Sequence, residues 1–140
     1  MRVVRRVAKD VQTVAGAARE LAVTLRAGDV VAVGGPLGAG KTTFIAAAVR
    51  ALQGSDEVTS PTFTFWHRYD GTPPVHHLDL YRVEDDRDLA TIGLEEAFTS
   101  DAVVFVEWPE RAPALLPPKH VTVTLDGSGE QPRTIEMLLP

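Results

Sequence analysis

The chain has 140 residues, 44% hydrophobic and 24% charged, with a net charge of −5 and no cysteine. This is enough length for one domain with its own core. The lack of thiols excludes disulfides and thiolate metal sites, and the acidic balance argues against a basic surface that would bind nucleic acid by itself. No segment approaches 18 apolar residues, and the basic stretch at the start is followed by no long apolar run, so neither a spanning helix nor a signal peptide is expected.

In chain order, Val3–Val7 reads as a short edge strand. Asp10 is suited to cap a helix over residues 11–26, where Val14, Ala18, Leu21, Ala22 and Leu25 recur at helical spacing. A buried strand at Val30–Val33 runs into a glycine-rich loop. A second helix is expected over 43–52, with Phe44, Ile45, Ala48, Val49 and Leu52 on its apolar face and Gly54 as its stop. Pro61 makes 58–63 a loop. The alternation from Phe63 to Tyr69, the turn at 70–74 and the stretch Val75–Tyr81 predict an antiparallel hairpin. On its second strand His77, Asp79 and Tyr81 share one face.

Residues 85–100 read as one or two short helices broken near Gly93. Ala102–Val106 is continuously apolar, the mark of a parallel strand covered on both faces, and Glu107-Trp108-Pro109 ends it. His120–Leu125 and Thr134–Leu139 predict a closing hairpin around Asp126-Gly127-Ser128-Gly129. The expected architecture is a single α/β domain over 1–140, P-loop NTPase-like and three-layered. Its sheet is expected to be mixed and mainly parallel, with antiparallel hairpins.

The stretch Gly35-Pro36-Leu37-Gly38-Ala39-Gly40-Lys41-Thr42 fits glycine, four residues, then Gly-Lys-Thr, and it has the strand before and the helix after that the pattern requires. Glycines let the backbone turn tightly and bring N–H groups against a phosphate, and the following helix adds the positive end of its dipole. Lys41 can reach the β and γ oxygens, and the Thr42 hydroxyl can ligate Mg²⁺. Such a loop needs an acid for Mg²⁺ or its waters. Glu107 ends the most buried strand, where ligands of open α/β sheets bind. Asp79, set between Leu78 and Leu80, is a carboxylate that must be paired or metal-bound if buried. A salt bridge to Arg68 or Arg82 is the alternative for Asp79, and a surface acid the alternative for Glu107. His77 reads as a structural histidine or a partner that orients Asp79, ahead of a metal ligand. Ser60, Pro61 and Thr62 form a candidate switch near the terminal phosphate. Trp108 is a candidate for stacking on a base, anchoring a partner or packing in the core. Arg68 and Arg82 are weak candidates for an arginine finger.

Four blocks in order, 35–43, Val58-Thr59-Ser60-Pro61-Thr62-Phe63, His77-Leu78-Asp79-Leu80-Tyr81-Arg82 and Val106-Glu107-Trp108-Pro109-Glu110, resemble the small bacterial ATPases of tRNA threonylcarbamoyladenosine biosynthesis, the TsaE family. The match covers nearly the whole chain; its one departure is Pro36, where the family often has Asp. The resemblance implies a cytoplasmic, Mg²⁺-dependent ATPase that joins the proteins TsaB and TsaD, meets tRNA only through them, and resets their complex between turnovers. It further implies ATP contacts from Gly35 through Thr43 and Trp108, metal contacts from Thr42, Glu107 and Asp79, and catalytic roles for Lys41, Asp79 and Glu107. It leaves open which acid holds the metal and which orients water. Two other readings share the loop: a small kinase, disfavoured by the absence of an arginine-rich lid segment, and a nucleotide-gated binding module without catalysis. The lack of an Asn-Lys-x-Asp block argues for ATP over GTP.

Overall fold

The computed structural model describes residues 1–54, 65–84 and 93–140. Seven strands, β1 (Arg2–Ala8), β2 (Val30–Gly34), β3 (Trp66–Tyr69), β4 (Val75–Asp79), β5 (Val103–Glu107), β6 (Val121–Asp126) and β7 (Arg133–Leu139), form one sheet in the order β1-β7-β6-β2-β5-β4-β3. The four central strands are parallel; β1 and β7 on one side and β3 on the other run antiparallel to their neighbours. Three of the six pairings are therefore parallel, and the sheet is evenly mixed where a mainly parallel one was expected. The two hairpins at the margins account for the difference, together with β1, which pairs with β7 from the far end of the chain.

Helices α1 (Val11–Ala22) and α2 (Lys41–Gln53) pack together on one face of the sheet, over Val31, Val33, Val103, Phe105, Val121 and Val123. The alternate residues Val30, Val104 and Val106 join Leu78 and Leu80 on the other face, beneath Leu94, Ala97 and Ala112 from 3-10 turns and their flanks. Every residue of β5 is buried, as its unbroken apolar run predicts. Phe105 is fully buried at its centre, so Phe105→Ala is expected to cost about 3–5 kcal/mol, read as a drop in the urea or thermal midpoint.

Asp10 caps α1 as expected: its carboxylate accepts from the Thr13 N–H at 2.8 Å and the Thr13 hydroxyl at 2.7 Å. The helix ends at Ala22, four residues before the predicted end. The Thr24 hydroxyl donates to the Leu21 carbonyl at 2.7 Å and the chain turns there, while Leu25 still packs on the core. Helix α2 begins at Lys41, two residues early, and Gly54 stops it in left-handed backbone, its N–H on the Arg50 carbonyl. The hairpin of β3 and β4 forms, with β4 ending at Asp79 where a strand to Tyr81 was expected. Helical structure predicted within 85–92, and the candidate switch Ser60-Pro61-Thr62, lie outside the described residues.

Candidate functional site

Strand β2 is central and buried, so the loop that leaves its carboxyl end is anchored on one side by the sheet and on the other by α2. Gly35 begins this loop in left-handed backbone (φ +140°) against the end of β6, where a β-carbon would lie 2.1 Å from the Leu125 carbonyl oxygen. Only glycine permits that approach. Gly40, at φ +101°, caps α2, and no side chain caps the helix, which leaves its first N–H groups for another acceptor.

Lys41 is the first residue of α2 and is 4% exposed. Its Nζ donates to the carbonyls of Gly35 (2.6 Å) and Pro36 (3.0 Å) and lies 3.9 Å from the centre of the Trp108 ring. Burial lowers its pKa, opposed by the charges of Glu107, Glu110 and Asp79. Trp108 can face Lys41 because its backbone is left-handed (φ 60°), the one non-glycine residue with positive φ among the described residues. Pro109 follows it and disfavours ordinary helical backbone there. Tyr81 packs on the same ring, centroids 5.1 Å apart.

Glu107 ends β5 and is 4% exposed. The Thr42 hydroxyl lies 3.2 and 3.3 Å from its two oxygens, and the His77 Nε2 lies 3.0 Å from one of them. Burial, the largest influence, pushes its pKa up. The hydrogen bond and charge of His77, the Thr42 hydroxyl and the Lys41 charge together outweigh it and hold the carboxyl below its ordinary value. Hydroxyl, carboxylate and imidazole thus form one chain at the N-terminus of α2, running from the exposed Thr42 to the buried Glu107 and His77. His77 was expected to be structural or to orient Asp79; it engages Glu107 instead. The parallel register of β4 and β5 sets Asp79 opposite Glu107 and His77 opposite Phe105, so His77 meets Glu107 on the diagonal. His67 stacks on its other side, ring centres 5.3 Å apart.

Asp79 stands at the end of β4, half-buried, and accepts from the Tyr81 N–H at 3.0 Å. Among the described residues Asp79 forms no bridge to Arg68 or Arg82, the partners weighed from sequence; Arg68 reaches Asp70 at 3.3 Å. A cleft of about 210 Å³ runs between Asp79, Phe65, Tyr81 and Arg82. Beside it, a second cavity of about 280 Å³ is lined by Leu37, Lys41, Thr42, Glu107 and Trp108. The structure therefore gathers Gly35 through Thr43, Asp79, Glu107 and Trp108 at the carboxyl ends of β2, β4 and β5. Two participants were not anticipated in these positions. They are His77 as the partner of Glu107, and Arg133, whose Nη2 donates to the Gly38 carbonyl at 3.3 Å. No sequence pattern marks Arg133.

The donor set fits a divalent cation that keeps water and phosphate ligands. One hydroxyl and one carboxylate meet at the site, while among the described residues no group of three or more His, Cys, Asp or Glu side chains forms a closed cage. The uncapped helix end and left-handed glycines fit a phosphate.

A profile of the family described as "Threonylcarbamoyl adenosine biosynthesis protein TsaE" matches residues 8–135. The tRNA threonylcarbamoyladenosine biosynthesis protein TsaE of Bacillus subtilis is 37% identical over 119 residues, 84% of this chain and 74% of that protein. The TsaE protein of Treponema pallidum is 38% identical over 110 residues, 76% of this chain and 82% of its own length. The crystal structure of Bacillus subtilis YdiB superposes with a TM-score of 0.78 at 28% identity, covering 97% of this chain and 84% of that one. On these matches and the site they span, the chain belongs to the TsaE family.

Proposed function

We propose that this chain, as a single P-loop ATPase domain in three layers, binds ATP with Mg²⁺ and hydrolyses it in support of tRNA threonylcarbamoyladenosine formation, in the cytoplasm and in complex with TsaB and TsaD. The observation that carries the reading is the hydrogen-bonded chain Thr42–Glu107–His77 set at the N-terminus of α2 beside Lys41. Family membership supplies the pathway, and no helix among the described residues is long and apolar enough to cross a membrane.

In this reading the loop backbone from Gly35 to Thr43 and the first turn of α2 hold the phosphates. Lys41 exchanges its two carbonyl acceptors for phosphate oxygens and keeps its place under Trp108. Thr42 and Glu107 would hold Mg²⁺, which when bound neutralises charge on the phosphate oxygens. Glu107 suits that role better than Asp79 because its carboxylate already meets the Thr42 hydroxyl and is held charged. Asp79, half-buried at the neighbouring strand end and open to the cleft with Arg82, is left to orient the attacking water.

The test is phosphate release from ATP and Mg²⁺, with and without purified TsaB and TsaD. Little release alone and a clear rise with the partners is the expected result. Tight ATP binding with no release in their presence would overturn hydrolysis and favour a nucleotide-gated binding module.

A further inference from the structure

A cavity of about 580 Å³ opens at the end of the sheet opposite the phosphate loop. Strand β2 runs from one to the other: Val30 lines the cavity and Gly34 leads into the loop, about 13 Å along the strand. The cavity lies where α1 stops short. That helix ends at Ala22, and the chain that follows, with Thr24, Leu25 and Gly28, forms one wall. The strand ends form the rest. Val30 and Val121 begin β2 and β6, and Leu139, near the end of β7, pairs with Arg2 at the start of β1. Val30, Val121 and Leu139 supply an apolar floor, with Leu25 beside it.

Most polar groups around this hollow are engaged by the chain itself. The Thr24 hydroxyl donates to the Leu21 carbonyl at 2.7 Å. The Asp29 carboxylate accepts from the Arg26 N–H at 2.8 Å, and the Gly28 N–H donates to the Ala102 carbonyl at 2.8 Å. His120 Nδ1 lies 2.7 Å from the Pro117 carbonyl, which can only accept, so the ring proton sits on Nδ1. Arg2 and Lys119 differ. Both line the cavity and are exposed, and neither forms an ion pair among the described residues, whereas Arg5 and Arg6 are matched by Glu136 and Glu20. In a chain of net charge −5, two unmatched cations thus stand beside one apolar hollow.

We propose that this cavity is a second ligand site, that it takes a small organic anion with an aliphatic body and a carboxylate head, and that Arg2 and Lys119 hold the carboxylate. The aliphatic body would cover the floor of Val30, Val121 and Leu139, and burial of that surface supplies the affinity. The cations supply orientation and the preference for an acid over an alcohol. Neither half suffices alone, because a bare anion on exposed cations gains little in water. The site shares no residue with the cavity of Lys41, Thr42 and Glu107, so it stands or falls apart from the nucleotide reading.

The experiment follows the backbone amide signals of the full chain by NMR while hexanoate, acetate and 1-hexanol are added in separate titrations. Acetate keeps the head without the body, and 1-hexanol the body without the charge. Hexanoate should saturate at about millimolar concentration, and the largest shifts should fall at Gly28, Val30, Val121 and Leu139. Acetate and 1-hexanol should each bind about tenfold more weakly or worse. Arg2→Glu and Lys119→Glu, at exposed positions where folding is tolerant, should each weaken hexanoate about fivefold or more, and the double variant should abolish saturation. Hexanoate that fails to saturate, binds no better than either control, keeps its affinity in the double variant, or shifts Gly38 and Gly40 as strongly as Gly28 would overturn the site.

Discussion

Lys41→Ala is expected to reduce ATP turnover by at least about 10²–10³-fold, the scale seen when one preorganised donor aimed at developing charge is removed. The side chain is almost wholly enclosed, and burial already works against its charge, opposed by Glu107, Glu110 and Asp79. Water cannot take its place under the Trp108 ring with the same orientation. The loop also loses the donor shared by the Gly35 and Pro36 carbonyls, worth about 0.5–1.5 kcal/mol per bond, so the variant should fold with a modestly lower thermal midpoint. Lys41→Arg is not expected to rescue turnover: a planar fork does not fit the space of a point charge. Phosphate release with TsaB and TsaD present reads the effect. A folded Lys41→Ala protein that turns ATP over normally would remove Lys41 from the mechanism.

The position of Lys41 was legible because the whole of its setting is local. Strand, loop and helix follow one another within 25 residues, and the glycine spacing dictates the backbone that the structure shows at Gly35 and Gly40. Asp10 and Gly54 were legible for the same reason, since a cap is decided within one turn. Glu107 could be placed because the apolar run before it has a single sensible fate, a central strand, and a strand end is a site position in this class of sheet.

The remainder depends on register and strand order. His77 and Asp79 share a strand face, and sequence alone linked them. Only the pairing of β4 with β5 reveals that the imidazole reaches diagonally to Glu107. Arg133 follows an unremarkable turn 95 residues beyond Gly38, and its contact exists because β6 is inserted beside β2. The balance of parallel and antiparallel pairs likewise waited on β1 joining β7, a pairing across the full length of the chain. The early end of α1 was missed for a smaller reason. Helical periodicity continues to Leu25, but the β-branched pair Val23-Thr24 and the Thr24 hydroxyl favour a turn.

Glu107→Gln keeps the size of the side chain and removes its charge, and is expected to lower turnover by about 10²–10³-fold while raising the Mg²⁺ concentration needed for half-maximal rate. Glutamine is the better probe than alanine. Truncation would leave the Thr42 hydroxyl and the buried His77 without their shared acceptor, at about 1–3 kcal/mol for each group left unpaired, and a loss of activity would then be confounded with a loss of fold. With glutamine the amide oxygen still accepts one of the two hydrogen bonds, so the thermal midpoint should change little. His77→Phe completes the argument. It retains a ring to stack on His67 and deletes the bond to Glu107, leaving the acid charged but less firmly oriented. Its cost should be smaller, about 10–100-fold, and should appear first as a raised Mg²⁺ requirement at fixed ATP, because the imidazole acts through the carboxylate. A combined Glu107→Gln, His77→Phe variant should then be little worse than Glu107→Gln alone. Fully additive losses would mean that His77 works by a route independent of Glu107, and an unchanged Mg²⁺ requirement in Glu107→Gln would pass the metal to Asp79, the acid set opposite it across β4 and β5.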